Sequence, residues 1–279
     1  MLIVFEAANN HGGSLDRGKQ MVDEFCVVAD KFPQFRYAWK LQYRDIEGGT
    51  CIHPSADPDH PYVKRFRETN LSDADRLALK EYAVARGFRT ACTPFDEKSV
   101  DDVVRHGYDI LKVGSPSFAD WPLWEKICST WNGPIIASCG GATEEEIDKV
   151  AKICQGKDIS LLHCISEYDP PFPEKLQMNQ IDYLKNRYPR IPIGFSCHEE
   201  FMSEGIILAL AKGVSIIEKH VCLEPKPNEY SLTPDEMEED LRSLSLSAES
   251  CGLRHMRVPG TNPTQFKRQL IDGRMWWKP

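Results

Sequence analysis

The sequence predicts a single-domain (β/α)8 barrel. Three observations carry that expectation. Eight short apolar runs alternate with eight longer segments of helical character. Such a rhythm builds a parallel sheet with helices outside it, and the count fits a closed barrel better than an open doubly wound sheet. Polar residues gather at the C-terminal ends of the apolar runs, the rim where barrel chemistry sits. No Gly-x-Gly-x-x-Gly or Walker-type loop occurs, which weakens a nucleotide-binding alternative.

The first strand covers Ile3 to Ala7 and closes on the polar, flexible run from Glu6 to Gly13. Ser14 caps a helix from Leu15 to Asp30, with Met21, Val22, Phe25 and Val28 on one face. Arg36 to Gln42 is the second strand. Tyr43 to Arg67, rich in Pro, Gly, Asp and His, reads as a long loop of the kind that usually serves function. Ser72 caps a helix reaching Arg86, Gly87 ends it, and Phe88 to Phe95 is the third strand. A short helix to His106 follows, then a strand from Ile110 to Ser115 and a helix from Asp120 to Trp131. Pro134 to Cys139 is the fifth strand, starting on proline where a missing amide costs least. Thr143 and the three glutamates after it open the next helix with a cap and dipole-favourable charge. Ile159 to Ser166 is the sixth strand and Leu176 to Tyr188 a helix. Ile191 to His198 and Ser215 to Val221 are the last two strands, joined by a helical run from Phe201 to Lys212. Thr233-Pro234-Asp235-Glu236 starts a final helix to about Ser250. The barrel is thus expected over residues 1–250, with 251–279 a tail carrying Trp276 and Trp277 that packs on the barrel or on a partner.

Composition bounds the function. A formal charge of −8, without basic runs, argues against nucleic acid as a partner. No apolar run approaches membrane-spanning length and no signal pattern opens the chain, so a soluble, cytoplasmic protein is expected. The ten cysteines stand singly, with no Cys-x-x-Cys, and read as small core residues with reduced thiols.

The strand ends supply Glu6, Lys40, Thr93, Lys112 and Ser115, Ser138, Ser166, His198 and His220. One lysine in an apolar strand is best read as snorkelling outward or pairing with an acid. Lys40 and Lys112 together, beside a ring of hydroxyls, favour a phosphate or carboxylate pocket. His198 and His220 end neighbouring parallel strands, where they can hold a divalent metal or act as polar strand caps. Glu218 shares the face of His220 and is expected deeper, beside a lysine. His163 reads as a hydrogen-bonded barrel histidine and His11 as a loop residue that orients its neighbours. Cys197 and His198 point to opposite faces, so they cannot share an ion.

Eight short motifs in order resemble the sialic acid synthase family of phosphoenolpyruvate-condensing barrels. They are the Glu6–Gly13 run, Lys40-Leu41-Gln42, Cys92-Thr93-Pro94-Phe95, Leu111 to Ser115, Ile136 to Gly140, Leu161 to Tyr168, Gly194 to His198 and Ile217 to His220. The resemblance implies condensation of phosphoenolpyruvate with an open-chain aldose to a nonulosonic acid, with release of phosphate. It implies Lys40, Thr93, Lys112, Ser115, Ser138 and Ser166 as phosphoenolpyruvate contacts. Glu6, Lys112 and His220 become the catalytic set, Tyr168 and Asn228 sugar-side residues, and His198 and His220 ligands of Mn²⁺, with Mg²⁺ or Co²⁺ as alternatives. The pattern departs from the family at Gly114-Ser115-Pro116-Ser117, where Gly-Ser-Gly and an acid are usual. It departs again at Cys197, in place of an acid, and at Pro225-Lys226-Pro227-Asn228, in place of Pro-Gly-Pro-Asp. The family's C-terminal antifreeze-like domain has no counterpart, so a homodimer or a partner supplying it is expected. Two other readings stay open: a Schiff-base aldolase using Lys40 or Lys112, and a non-catalytic barrel that binds a sugar phosphate.

Overall fold

The computed structural model describes residues 1–53, 55–166, 175–199 and 204–250, and the backbone of Lys267–Ile271 and Arg274–Lys278. Eight parallel strands close into a barrel in sequence order. They are β1 (Leu2–Glu6), β2 (Arg36–Tyr43), β3 (Arg89–Pro94), β4 (Ile110–Val113), β5 (Ile135–Ser138), β6 (Ile159–Cys164), β7 (Ile193–Cys197) and β8 (Ile216–His220). The outer ring holds α1 (Leu15–Asp30), α2 (Pro61–Glu68), α3 (Asp73–Ala85), α4 (Glu97–His106) and α5 (Trp121–Thr130). It continues with α6 (Glu144–Ile153), α7 (Asn179–Arg187), α8 (Glu204–Ala211) and α9 (Pro234–Ser250).

Local chemistry sets the helix starts. Ser14, Ser72, Asp96 and Asp120 each accept a hydrogen bond from the backbone three residues on. Thr143 and Glu146 form a reciprocal capping box. The long loop expected over Tyr43–Arg67 contains α2, which starts on Pro61 at a position where proline is tolerated and carries Arg65 and Arg67 in its last turn.

The period of two along each strand divides the barrel interior into storeys. Leu2, Val4, Ala38, Ala91, Ile110, Ile136, Leu162 and Ile216 form an apolar inner cluster. Two residues further on, the same face turns polar: Lys40, Thr93, Lys112, Ser138 and Glu218. Register aligns this upper storey, with Glu6 opposite Lys40 on one side and His220 on the other. Gly194 keeps the lower storey tight, since a Cβ there would stand 2.7 Å from the Ile216 carbonyl oxygen. The outward faces pack against the helices in a second, larger core that includes Phe5, Phe25, Trp39 and Trp124.

Two strands end two residues earlier than the sequence suggests. β4 stops at Val113, and Ser115–Ser117 form a single 3-10 turn. β6 stops at Cys164, with Ser166 two residues beyond it. In the tail, Lys267–Ile271 and Arg274–Lys278 pair as an antiparallel hairpin that is not part of the barrel sheet; the side chains of Trp276 and Trp277 lie outside the described residues.

Candidate active site

A cavity opens above the apolar storey. Its lining includes Glu6, Lys40, Thr93, Lys112, Ser115, Ser138, Ser166, His198, Glu218 and His220. Each comes from a strand end or the first residues after one, so the closed sheet alone brings them together. Tyr168 lies outside the described residues. Asn228 lies in the loop after β8 and does not line the cavity; its side-chain oxygen accepts from the Ser231 amide at 2.9 Å, closing its own turn. Sequence reasoning missed Ser196, Gln42, Phe95 and Cys164, which also line the cavity. Ser196 was findable, because it stands two residues before His198 on the same strand face.

Four buried charges fill the floor of this cavity. Lys40 Nζ donates to Glu6 Oε2 and, at 3.2 Å, to Glu218 Oε1. Lys112 Nζ donates to Ser138 Oγ at 2.7 Å and stands 3.6 Å from the same Glu218 oxygen. Glu218 therefore does lie beside a lysine, and it serves both. The Glu6 carboxylate is fixed further by the Ala8 amide, 2.6 Å from Oε1. Burial pushes the Glu218 carboxyl up, but Lys112 and then Lys40 pull it below the usual carboxylate range, so it is ionised. Burial lowers the Lys40 ammonium to about 8, with Glu218 opposing and Lys112 adding to the shift. Two buried polar atoms here find no partner among the described residues: the Thr93 hydroxyl and Glu218 Oε2. An orphaned donor facing a cavity is the mark of a place for a ligand.

A hydroxyl cradle adjoins the lysines. The Gly140 amide donates to Ser115 Oγ at 3.2 Å. A Cβ on Gly140 would collide with the Ser166 hydroxyl and stand 2.9 Å from Ser115 Oγ, so this glycine makes room for both. Two ammonium groups and four hydroxyls in one concavity suit a phosphate or carboxylate.

The histidine rings lie side by side on the far wall, their centroids 5.3 Å apart. His198 Nδ1 stands 3.0 Å from the Ile165 carbonyl oxygen. A carbonyl only accepts, so Nδ1 carries the proton. Burial depresses His220 far below the ordinary histidine range, and the nearby cations deepen the shift. Burial works against the His198 charge too, but the Cys164 thiol, the Ile165 carbonyl and Glu218 outweigh it and raise that histidine. A neutral His220 and an oriented His198 fit a divalent ion. Among the described residues no cluster of three or more His, Cys, Asp or Glu side chains is placed to hold one. Cys197 faces away, toward Lys219 and Glu199. His163 Nε2 donates to the Leu176 carbonyl oxygen at 2.7 Å, outside the cavity. His11 Nδ1 accepts from the Gly13 amide at 3.1 Å.

Fold and site together define a (β/α)8 barrel whose cavity carries two buried lysines, a set of hydroxyls and a paired-histidine wall. The chain belongs to the NeuB family, whose model matches residues 34–254; members of that family are phosphoenolpyruvate-dependent nonulosonic acid synthases that generally use a divalent metal. It is 30% identical over 257 residues to an uncharacterized protein of Methanocaldococcus jannaschii, covering 90% of this chain and 72% of that one. It is 29% identical to the N,N'-diacetyllegionaminic acid synthase of Legionella pneumophila, covering 87% of this chain and 70% of the relative. A crystal structure described as spore coat polysaccharide biosynthesis protein E of Chromobacterium violaceum superposes with a TM-score of 0.87 at 37% identity, covering 93% of this chain and 79% of that one.

Proposed function

We propose that this protein condenses phosphoenolpyruvate with an open-chain aldose to give a 3-deoxy-2-keto sugar acid and phosphate. The observation that carries the reading is the pairing of two buried lysines with the unpartnered Thr93 hydroxyl and the Ser115–Ser166 cradle in one cavity. The donor is a compact polyanion. Lys40 and Lys112 offset its charge, and the hydroxyls of Thr93, Ser115, Ser138 and Ser166 fix its orientation by hydrogen bonds that need no reorganisation during the reaction.

In the reaction, the π electrons of the donor form a bond from its carbon 3 to the aldehyde carbon of the acceptor. The carbonyl π pair moves to the aldehyde oxygen, which takes up a proton to become a hydroxyl, and positive charge is left at carbon 2 of the donor. Water adds at carbon 2. Glu6, held between Lys40 and the Ala8 amide, takes the proton. The resulting tetrahedral centre collapses to the ketone as the carbon–oxygen bond to phosphate breaks, and Lys112 stabilises the departing oxygen. His198 and His220 would hold the divalent metal, Mn²⁺ by the chemistry of an imidazole and oxygen donor set, with Mg²⁺ or Co²⁺ as alternatives. When bound, such an ion polarises an aldehyde oxygen as a Lewis acid. The test is phosphate release from phosphoenolpyruvate in the presence of Mn²⁺ and a panel of aldoses. The expected result is acceptor-dependent release; no release with any aldose and no donor binding would sink the proposal.

One observation favours a second reading. A Lys40 amine lowered to about 8 is a better nucleophile at neutral pH than an ordinary lysine. Borohydride trapping with pyruvate separates the two: an adduct on Lys40 supports a Schiff-base aldolase, and the synthase reading expects none.

A further inference from the structure

Two cysteines face each other at the end of the barrel opposite the catalytic cavity. Cys128 lies in the last turn of α5, and Cys154 caps the C-terminus of α6. Helices of a parallel barrel run back against its strands. These two helix ends therefore sit beside the strand starts, on the face that serves stability and not chemistry. The two sulfur atoms are 4.0 Å apart, in van der Waals contact. The Cys128 thiol also stands 3.9 Å from the Ile153 carbonyl oxygen, so its side chain is directed at the end of α6. A second link joins the same two turns, where Lys157 Nζ donates to the Trp131 carbonyl oxygen at 2.8 Å. Both cysteines are free thiols; Cys128 is half-buried and Cys154 is 1% exposed. An outer thiol within reach of solvent thus stands over an inner one that is not.

We propose that Cys128 and Cys154 are a redox modification site, a dithiol that a peroxide converts to a reversible disulfide stapling α5 to α6. The geometry sets the order of events. Cys128, the accessible sulfur, attacks as its thiolate. A sulfur–oxygen bond forms as the oxygen–oxygen bond of the peroxide breaks, and the released oxygen takes up a proton and leaves as water. Cys128 is then a sulfenic acid. The Cys154 sulfur attacks the Cys128 sulfur and the sulfur–oxygen bond breaks. The Cys154 thiol proton leaves with the hydroxide as a second water. Two thiols lose two electrons and the peroxide gains them. Burial pushes the Cys154 thiol up to about 12, with Cys128 adding to the shift. The inner sulfur therefore keeps its proton and reacts second. The bond requires the sulfurs to close to about 2.05 Å. Cys128 has room to swing on its exposed side, and Cys154 stands where α6 ends and the chain turns through Gly156 at φ 85°. The pair is 26 residues apart in sequence, an interval that encloses β5 and α6. A bond across such an interval restricts the unfolded chain and so favours the folded barrel.

The experiment uses the full chain with all ten cysteines in place. The protein is treated with stoichiometric hydrogen peroxide, quenched, unfolded, alkylated with iodoacetamide and digested by trypsin without reduction. Mass spectrometry should find peptide 153–157 joined to peptide 127–149, and dithiothreitol should separate them. Peptide 127–149 also carries Cys139, so fragmentation assigns the bonded sulfur. The oxidised protein should melt about 5 °C above the reduced protein. Cys128→Ser, a change at a half-buried position, should fold and lose both the joined peptide and the rise in melting temperature. Cys154→Ala should lose them as well, with Cys128 then passing on to sulfinic acid under the same treatment. Full alkylation of both thiols after peroxide overturns the proposal. So do a bond from Cys139 in place of Cys128, sulfinic acid on Cys128 of the wild type beside a free Cys154, or a joined peptide with no rise in melting temperature.

Discussion

Gly140→Ala separates the hydroxyl cradle from the charges beside it. A Cβ at this position would overlap the Ser166 hydroxyl and lie 2.8 Å from the Cys164 carbonyl oxygen and 2.9 Å from Ser115 Oγ. The two hydroxyls can rotate aside. The carbonyl can move only with the end of β6. Overpacking of this kind costs about 1–3 kcal/mol of stability, so the variant should fold with a lowered melting temperature. The larger effect falls on the donor. Turning both hydroxyls away removes two hydrogen bonds to a charged group, each worth about 1.5–3 kcal/mol. Affinity for phosphoenolpyruvate should therefore fall by roughly 100-fold or more. Calorimetric titration below both melting transitions measures it, and circular dichroism checks that the barrel is intact. Lys40 and Lys112 are untouched, so the residual affinity reports their share. A folded Gly140→Ala protein that binds phosphoenolpyruvate within threefold of wild type would refute the assignment of Ser115 and Ser166 as ligands.

Three further outcomes follow from the same geometry. Lys40 is protonated below about 8 and its charged form attracts the anion. Donor affinity should hold at lower pH and fall as pH rises through that value; a flat profile from about pH 7 to about pH 10 would remove Lys40 from the donor set. Glu218→Gln takes away the carboxylate that stands 3.2 Å from Lys40 and 3.6 Å from Lys112. Breaking a buried pair in this way costs about 3–5 kcal/mol, and added phosphoenolpyruvate should raise the variant's melting temperature by more than the wild type's; an unchanged melting temperature of the free protein counts against the network. His220→Ala removes one of the two facing imidazoles. Mn²⁺ affinity, read by the free-ion resonance signal, should drop by about 100-fold or more with donor binding little changed, and equal Mn²⁺ affinity would return the histidines to the role of strand caps.

The barrel was legible because each strand carries its own evidence. Apolar residues alternate with outward-facing ones, and a cap or glycine marks each boundary. The upper storey was legible for the same reason, since a lysine two residues beyond an alanine or isoleucine on one face must point inward. Two things were hidden. The first is what happens past a strand end, where the period of two stops: the turn at Ser115 and the position of Ser166 depend on Gly140, a residue on another loop. The second is α2. Its eight residues were lost in a loop-like composition, although Pro61 and the Tyr62–Phe66 pair one turn apart are helical signals, and its rings stack with centroids 6.3 Å apart.

The charges on the cavity floor also bear on turnover. Lys40 and Lys112 share Glu218, and Lys40 also holds Glu6. The four side chains thus form an internal salt in which two ammonium groups balance two carboxylates. On the synthase reading, a polyanionic donor does not fall into an open electric field; it displaces Glu218 from the lysines as one counter-ion displaces another on an exchange resin. The same exchange runs backward after the reaction, when Glu218 reclaims the lysines and the freed phosphate loses its hold. On this view Glu218 limits how tightly the donor can bind, and that restraint is what lets the product go.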